Sequence, residues 1–101
     1  MDRMILQKKL VDILGENHVY YQPPASLRLS YPAIVYKLTD RSVEYASNHP
    51  YANFLQYNVT VISEDPDNVI GSDLMTQLKW CSFNGRNTVE NLYHDRFTLY
   101  F

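Results

Sequence analysis

The chain has 101 residues, room for one domain and one core, and its 46% apolar content is that of a globular protein rather than a disordered one. A net charge of −2, with basic residues scattered and only Lys8-Lys9 adjacent, excludes the basic stripe that neutralises nucleic-acid phosphates. The single cysteine excludes an internal disulfide, and no apolar run approaches the roughly 20 residues that span a bilayer.

Residues 2–14 read as an amphipathic helix. Leu6, Leu10, Ile13 and Leu14 recur at helical spacing, Ile5 and Val11 widen the stripe, and Gly15 follows as its cap. This charged segment is not the core of a signal peptide, so a cytoplasmic product, or one built into a particle there, is expected. Val19-Tyr20-Tyr21 reads as a short strand stopped by Pro23 and Pro24, which cannot donate to a ladder. Residues 33–39 alternate as a strand, with Ile34, Tyr36 and Leu38 on one side. A further strand is expected at 43–46, then a polar tip at Ser47-Asn48-His49-Pro50. The long strand 51–63 comes next, placing Tyr57, Val59 and Val61 on its buried side.

Asp65-Pro66-Asp67 carries the signals of a helix start, with Asp65 as cap and Pro66 at the first helical position. Ile70, Leu74 and Leu78, with Met75, form the stripe of a helix predicted over 66–79, in which Gly71 costs about 1 kcal/mol relative to alanine. Trp80 to Phe83 start a strand that the Asn84-Gly85 pair is expected to turn. Residues 91–101 close the chain with Tyr93, Phe97, Leu99 and Phe101 on one side. The order α-β-β-β-β-α-(β)-β with short loops predicts an α+β domain over residues 1–101. Its antiparallel sheet of about four to five strands would carry both helices on one face.

The pattern carries no catalytic constellation. His18, His49 and His94 lie in separate segments without metal-ligand spacing, and Pro66 interrupts the acids Glu64, Asp65 and Asp67. Glycines at 15, 71 and 85 build no phosphate loop, so neither a cofactor nor a metal is expected. Cys81 sits among large apolar residues and reads as a buried structural thiol. The outlying feature is nine tyrosines, a residue suited both to sheet faces and to protein interfaces. The candidate interface comprises Tyr20, Tyr21, Pro23 and Pro24 in the first loop. A hairpin adds Tyr45, Asn48, His49, Tyr51 and Phe54.

Four segments, taken in order, resemble the small tail-terminator or tail-completion proteins of long-tailed bacteriophages. They are Val19-Tyr20-Tyr21-Gln22-Pro23-Pro24, Tyr31-Pro32-Ala33-Ile34-Val35-Tyr36, and Tyr57-Asn58-Val59-Thr60-Val61-Ile62 followed by Asp65-Pro66-Asp67. The fourth is Asn91-Leu92-Tyr93-His94-Asp95 with the closing Phe97-Thr98-Leu99-Tyr100-Phe101. The resemblance runs from about residue 4 to residue 101 and rests on structural rather than catalytic motifs. It implies a virion subunit, not an enzyme, that forms a ring, usually a hexamer, at the head-proximal end of the tail. Its partners would be copies of itself, the major tail tube protein and the head–tail connector or stopper. DNA would pass through the lumen without specific binding, and no membrane is involved. Another connector, stopper or tube-like virion subunit, or a cellular small-ligand domain, is the alternative.

Overall fold

The computed structural model describes residues 3–40 and 55–101. In chain order these form α1 (Arg3–Leu14), β1 (Val19–Tyr21), β2 (Ala33–Asp40), β3 (Gln56–Ser63), α2 (Ile70–Gln77), β4 (Trp80–Val89) and β5 (Leu92–Tyr100). The five strands make one sheet in the order β1-β2-β3-β5-β4. The α+β class read from the sequence holds, and both helices seal the same face. One cluster joins Leu6 and Leu10 of α1, Leu74 of α2 and Leu78 just beyond it to Ile34, Tyr36, Tyr57, Val59, Val61, Phe97 and Leu99 of the strands.

Strand periodicity places that core. Residues opposite one another run Tyr36–Val59–Phe97–Phe83 across four strands, so one alternation phase is mostly apolar and faces the helices. The stripe of α1 is narrower than its sequence pattern. Leu6 and Leu10 are fully buried, Val11, Ile13 and Leu14 pack at the margin, and Ile5 is half exposed. Gly15 caps the helix as expected: its φ of 77° is left-handed and its N–H donates to the Val11 carbonyl at 2.9 Å.

Three expectations need correction. The sheet is mixed, because β1 runs parallel to β2, with Val19 beside Ile34 and Tyr21 beside Tyr36. Residues 22–32 are long enough to carry the chain back along the sheet, which a short hairpin could not do. Second, α2 begins at Ile70 rather than at Pro66, and Asp65 does not cap it. The Asp65 carboxylate instead accepts the N–H of Asp67 at 2.9 Å, and the Asn68 side-chain oxygen accepts that of Ile70 at 3.2 Å. Such local side-chain bonds compete with helix formation and hold 65–68 as turns. Third, Asn84-Gly85 is not the hairpin turn but a bulge inside β4, where the register with β5 slips between Phe83 and Gly85. The turn lies at Glu90-Asn91, whose φ values of 51° and 65° are both left-handed, the geometry of a tight two-residue hairpin. The expected strand 43–46, the tip 47–50 and the first part of the long strand lie outside the described residues.

Candidate functional site

The sheet has two unlike faces, and the tyrosines sort between them. On the helix side Tyr21, Tyr36 and Tyr57 form a ladder across β1, β2 and β3, with ring centroids 4.9 Å and 6.0 Å apart. Tyr36 is 1% exposed, yet its hydroxyl is fully engaged. It donates to Gln7 Oε1 at 2.5 Å and accepts from Arg3 Nη1 at 3.1 Å. Gln7 Nε2 also donates to the Val19 carbonyl at 3.1 Å, so α1 covers the outer edge of β1 with a hydrogen-bonded side chain. The Arg3 guanidinium lies 4.3 Å from the centre of the Tyr21 ring.

Burial pushes the Tyr36 phenol above its ordinary value, and the Arg3 hydrogen bond opposes that only in part. A raised folded-state value means the unfolded chain loses this proton first. The contribution is complete below about pH 10 and is lost as pH climbs through the folded value. Tyr36→Phe should cost about 1–3 kcal/mol at neutral pH, because Gln7 and Arg3 lose a buried partner. It should also flatten the fall in stability above about pH 10. Urea midpoints at neutral and alkaline pH check this, and equal alkaline slopes in the two proteins would contradict it.

The interface residues expected from the sequence separate in space. Tyr21 is half-buried in the ladder just described, whereas Tyr20 alternates to the opposite face, where its hydroxyl accepts the N–H of Ser30 at 3.2 Å. Pro23 is half-buried and Pro24 is exposed, and the Pro24 carbonyl accepts the N–H of Leu27 at 3.0 Å. Tyr45, Asn48, His49, Tyr51 and Phe54 lie outside the described residues.

The face turned away from the helices carries polar side chains over much of its area. Lys37, Asn58, Thr60, Arg96 and Thr98 alternate onto it, paired as Lys37–Asn58–Thr98 and Thr60–Arg96 across β2, β3 and β5. Lys37, Asn58, Thr60 and Arg96 line a concavity of about 400 Å³ whose rim is completed by Asn84. The bulge serves this arrangement. Gly85 takes a φ of 141°, and a Cβ there would lie 3.3 Å from Arg96 Nη2, so the glycine leaves space for the guanidinium. Asn84 then donates to Thr98 Oγ1 at 2.6 Å. None of these residues was marked in the sequence as part of an interface, because only strand register brings them together.

β4 forms the edge of the sheet beside this face. Its ten residues have β5 as their one neighbour among the described residues, and Phe83 and Val89 on it are half exposed. Its single charged side chain, Arg86, is held in place rather than standing guard on the edge. Arg86 Nε and Nη2 donate to Asp95 Oδ1 and Oδ2 at 2.5 Å and 3.0 Å, and Nη1 donates to the Pro66 carbonyl at 3.0 Å. That fork ties the β4–β5 hairpin to the turn before α2. Asp95 shares the alternation phase of Phe97 and Leu99 and is 5% exposed. A lone acid inside an apolar alternation is the sequence signal for it. Cys81 is half-buried against the core, and burial pushes its thiol up to about 11, away from nucleophilic use.

Among the described residues no three His, Cys, Asp or Glu side chains converge as metal ligands, and no helix is long and apolar enough to cross a membrane. His18 Nδ1 lies 3.2 Å from the Pro32 carbonyl, while His94 sits on β5 facing away from the helices. The concavity on the open face therefore brings together hydrogen-bonding groups and two cations, Lys37 and Arg96, without a nucleophile beside a base. Comparison with models of protein families, with curated proteins and with solved structures finds no match to this chain.

Proposed function

We propose that this chain is a structural virion subunit that closes into a ring at the head-proximal end of a bacteriophage tail tube. There it ends tube growth and joins the tail to the head connector. The observation that carries the reading is the two-sided sheet. Among the described residues, two helices seal one face, while the part of the other face around Lys37 and Arg96 and the long β4 edge carry no covering element. A ring subunit needs two different surfaces, because a closed ring is built from head-to-tail contacts. An open face and an unpaired edge supply them, the edge through main-chain bonding and the face through side chains. The segments that carry the resemblance to tail terminators include residues of β1, β2, β3 and β5, the four strands that frame this open face.

The tube protein below, the connector above and neighbouring copies at the side are the partners this reading requires. Genomic DNA traverses the lumen without being gripped, in keeping with a chain whose net charge is −2. The direct test is to polymerise tail tube protein with and without the purified chain and to image the products by negative stain. The expected result is shorter tubes bearing a ring at one end only. Unchanged tube lengths with bare ends would overturn the reading.

A further inference from the structure

The open face and the far end of β3 carry opposite charges that form no ion pair within the described part of the chain, although Arg86 lies near enough to Asp67 to feel its charge. Lys37 and Arg96 flank the concavity, His94 lies on the same face, and no described acidic side chain joins them there. At the end of β3, Glu64, Asp65 and Asp67 are exposed, with Glu90 at the neighbouring hairpin turn. Among the described residues one ion pair forms, between Arg86 and Asp95, and it involves neither group.

These surfaces cannot meet within one molecule. The acidic loop leads from β3 into α2, which packs on the helix side, whereas Lys37 and Arg96 face the other way. The loop is compact and fixed: the Asp65 N–H donates to Ser63 Oγ at 3.0 Å, and Asp65 Oδ1 accepts the Asp67 N–H. A turn of this kind projects its carboxylates as a unit. The concavity, at about 400 Å³, has room for a short turn, and its Asn58, Thr60 and Asn84 side chains offer further hydrogen bonds.

We propose that the face around Lys37 and Arg96 receives the acidic loop 64–67 of a second copy of this chain. The proposal rests on the ring reading above and supplies its interface. Because the two surfaces differ, each copy uses both, and the contact propagates head to tail rather than ending at a two-fold dimer. Opposite charges also fix the order of neighbours and speed their encounter.

The test is a charge exchange read by sedimentation of the full chain. Wild type should form oligomers at low salt and lose them progressively towards about 0.5 M salt, where exposed charge pairs are screened. Lys37→Glu with Arg96→Glu, and separately Glu64→Lys with Asp67→Lys, should each sediment as folded monomers. An equimolar mixture should assemble again, because each altered surface then meets a complementary one. The milder pair Lys37→Gln with Arg96→Gln should weaken assembly at least about tenfold while leaving the thermal midpoint in place.

Either reversed variant assembling like wild type, or a mixture that stays monomeric, would overturn the proposal. So would a wild type that is monomeric at all salts and binds a single-stranded oligonucleotide through Lys37 and Arg96. None of these outcomes decides whether the chain caps tubes, which the tube-length assay measures separately.

Discussion

Gly71→Ala is expected to destabilise this protein, although alanine is the better helix former. An alanine Cβ at this position would lie 2.7 Å from Phe97 Cζ, well inside van der Waals contact. The ring has little room to retreat. Phe97 is 2% exposed, and its other neighbour, Phe83, sits with ring centres 5.4 Å apart. Overpacking of this kind costs about 1–3 kcal/mol, against a propensity gain of at most about 1 kcal/mol near a helix start. Packing wins, and Tm should fall by several degrees, at about 4–8 °C for each kcal/mol in a domain of this size. Phe97→Leu, itself destabilising, should make room for the extra methyl. In that background Gly71→Ala should be neutral or favourable, a coupling of about 0.5–3 kcal/mol. A rise in Tm for Gly71→Ala alone would contradict the close helix–sheet approach.

Arg86→Met should also destabilise the protein, for an electrostatic reason. It removes both hydrogen bonds to Asp95 and leaves that carboxylate buried without its cation. It also frees the Pro66 carbonyl, loosening the turn that leads into α2. Asp95 is buried but Arg86 is about a third exposed, so solvent screens the pair in part, and removing the cation alone still costs more than replacing both groups with apolar ones. A fall in Tm on the order of 5 °C is therefore expected, from the unsatisfied buried carboxylate. The double variant Arg86→Met with Asp95→Leu should recover most of it. Thermal melts of the three proteins decide the matter. A silent Arg86→Met, or a double variant no more stable than the single, would show that the fork does not hold the hairpin to α2.

These two sites mark the boundary of what the sequence discloses. Alternation in Tyr57, Val59 and Val61, and in Phe97 and Leu99, made the buried face legible, because a strand with one sealed side must repeat every second residue. The Leu6 and Leu10 stripe was legible for the same kind of reason. Gly71 was not. Read locally it is a defect in a helix, and its role appears only when Phe97, far along the chain, is packed beneath it. Asn84-Gly85 and Asp65-Pro66 misled because each obeys a sound local rule that a competing interaction overrides. The first is a bulge that accommodates Arg96, and the second a set of side-chain turns.

The candidate site was less legible than the fold. Tyr20 and Tyr21 looked like one exposed pair, yet adjacent strand residues point to opposite faces, and Tyr21 joins the ladder under α1. Three of the nine tyrosines, Tyr21, Tyr36 and Tyr57, are structural in this way. The tyrosine-rich strands were first a sign of binding. In the structure they are foremost the means by which α1 is fastened to the sheet, and the surface proposed to bind lies behind them on polar side chains. Lys37 and Arg96 are distant in sequence and on different strands, so no local pattern links them.

The central claim, that the chain ends tail growth and joins tail to head, is tested most directly by imaging. Negative-stain micrographs of particles made by a phage lacking this gene should show full heads beside detached tails of abnormal and variable length. Detached tails of normal length, or tailless heads that have leaked their DNA, would contradict termination and place the subunit in the head connector instead.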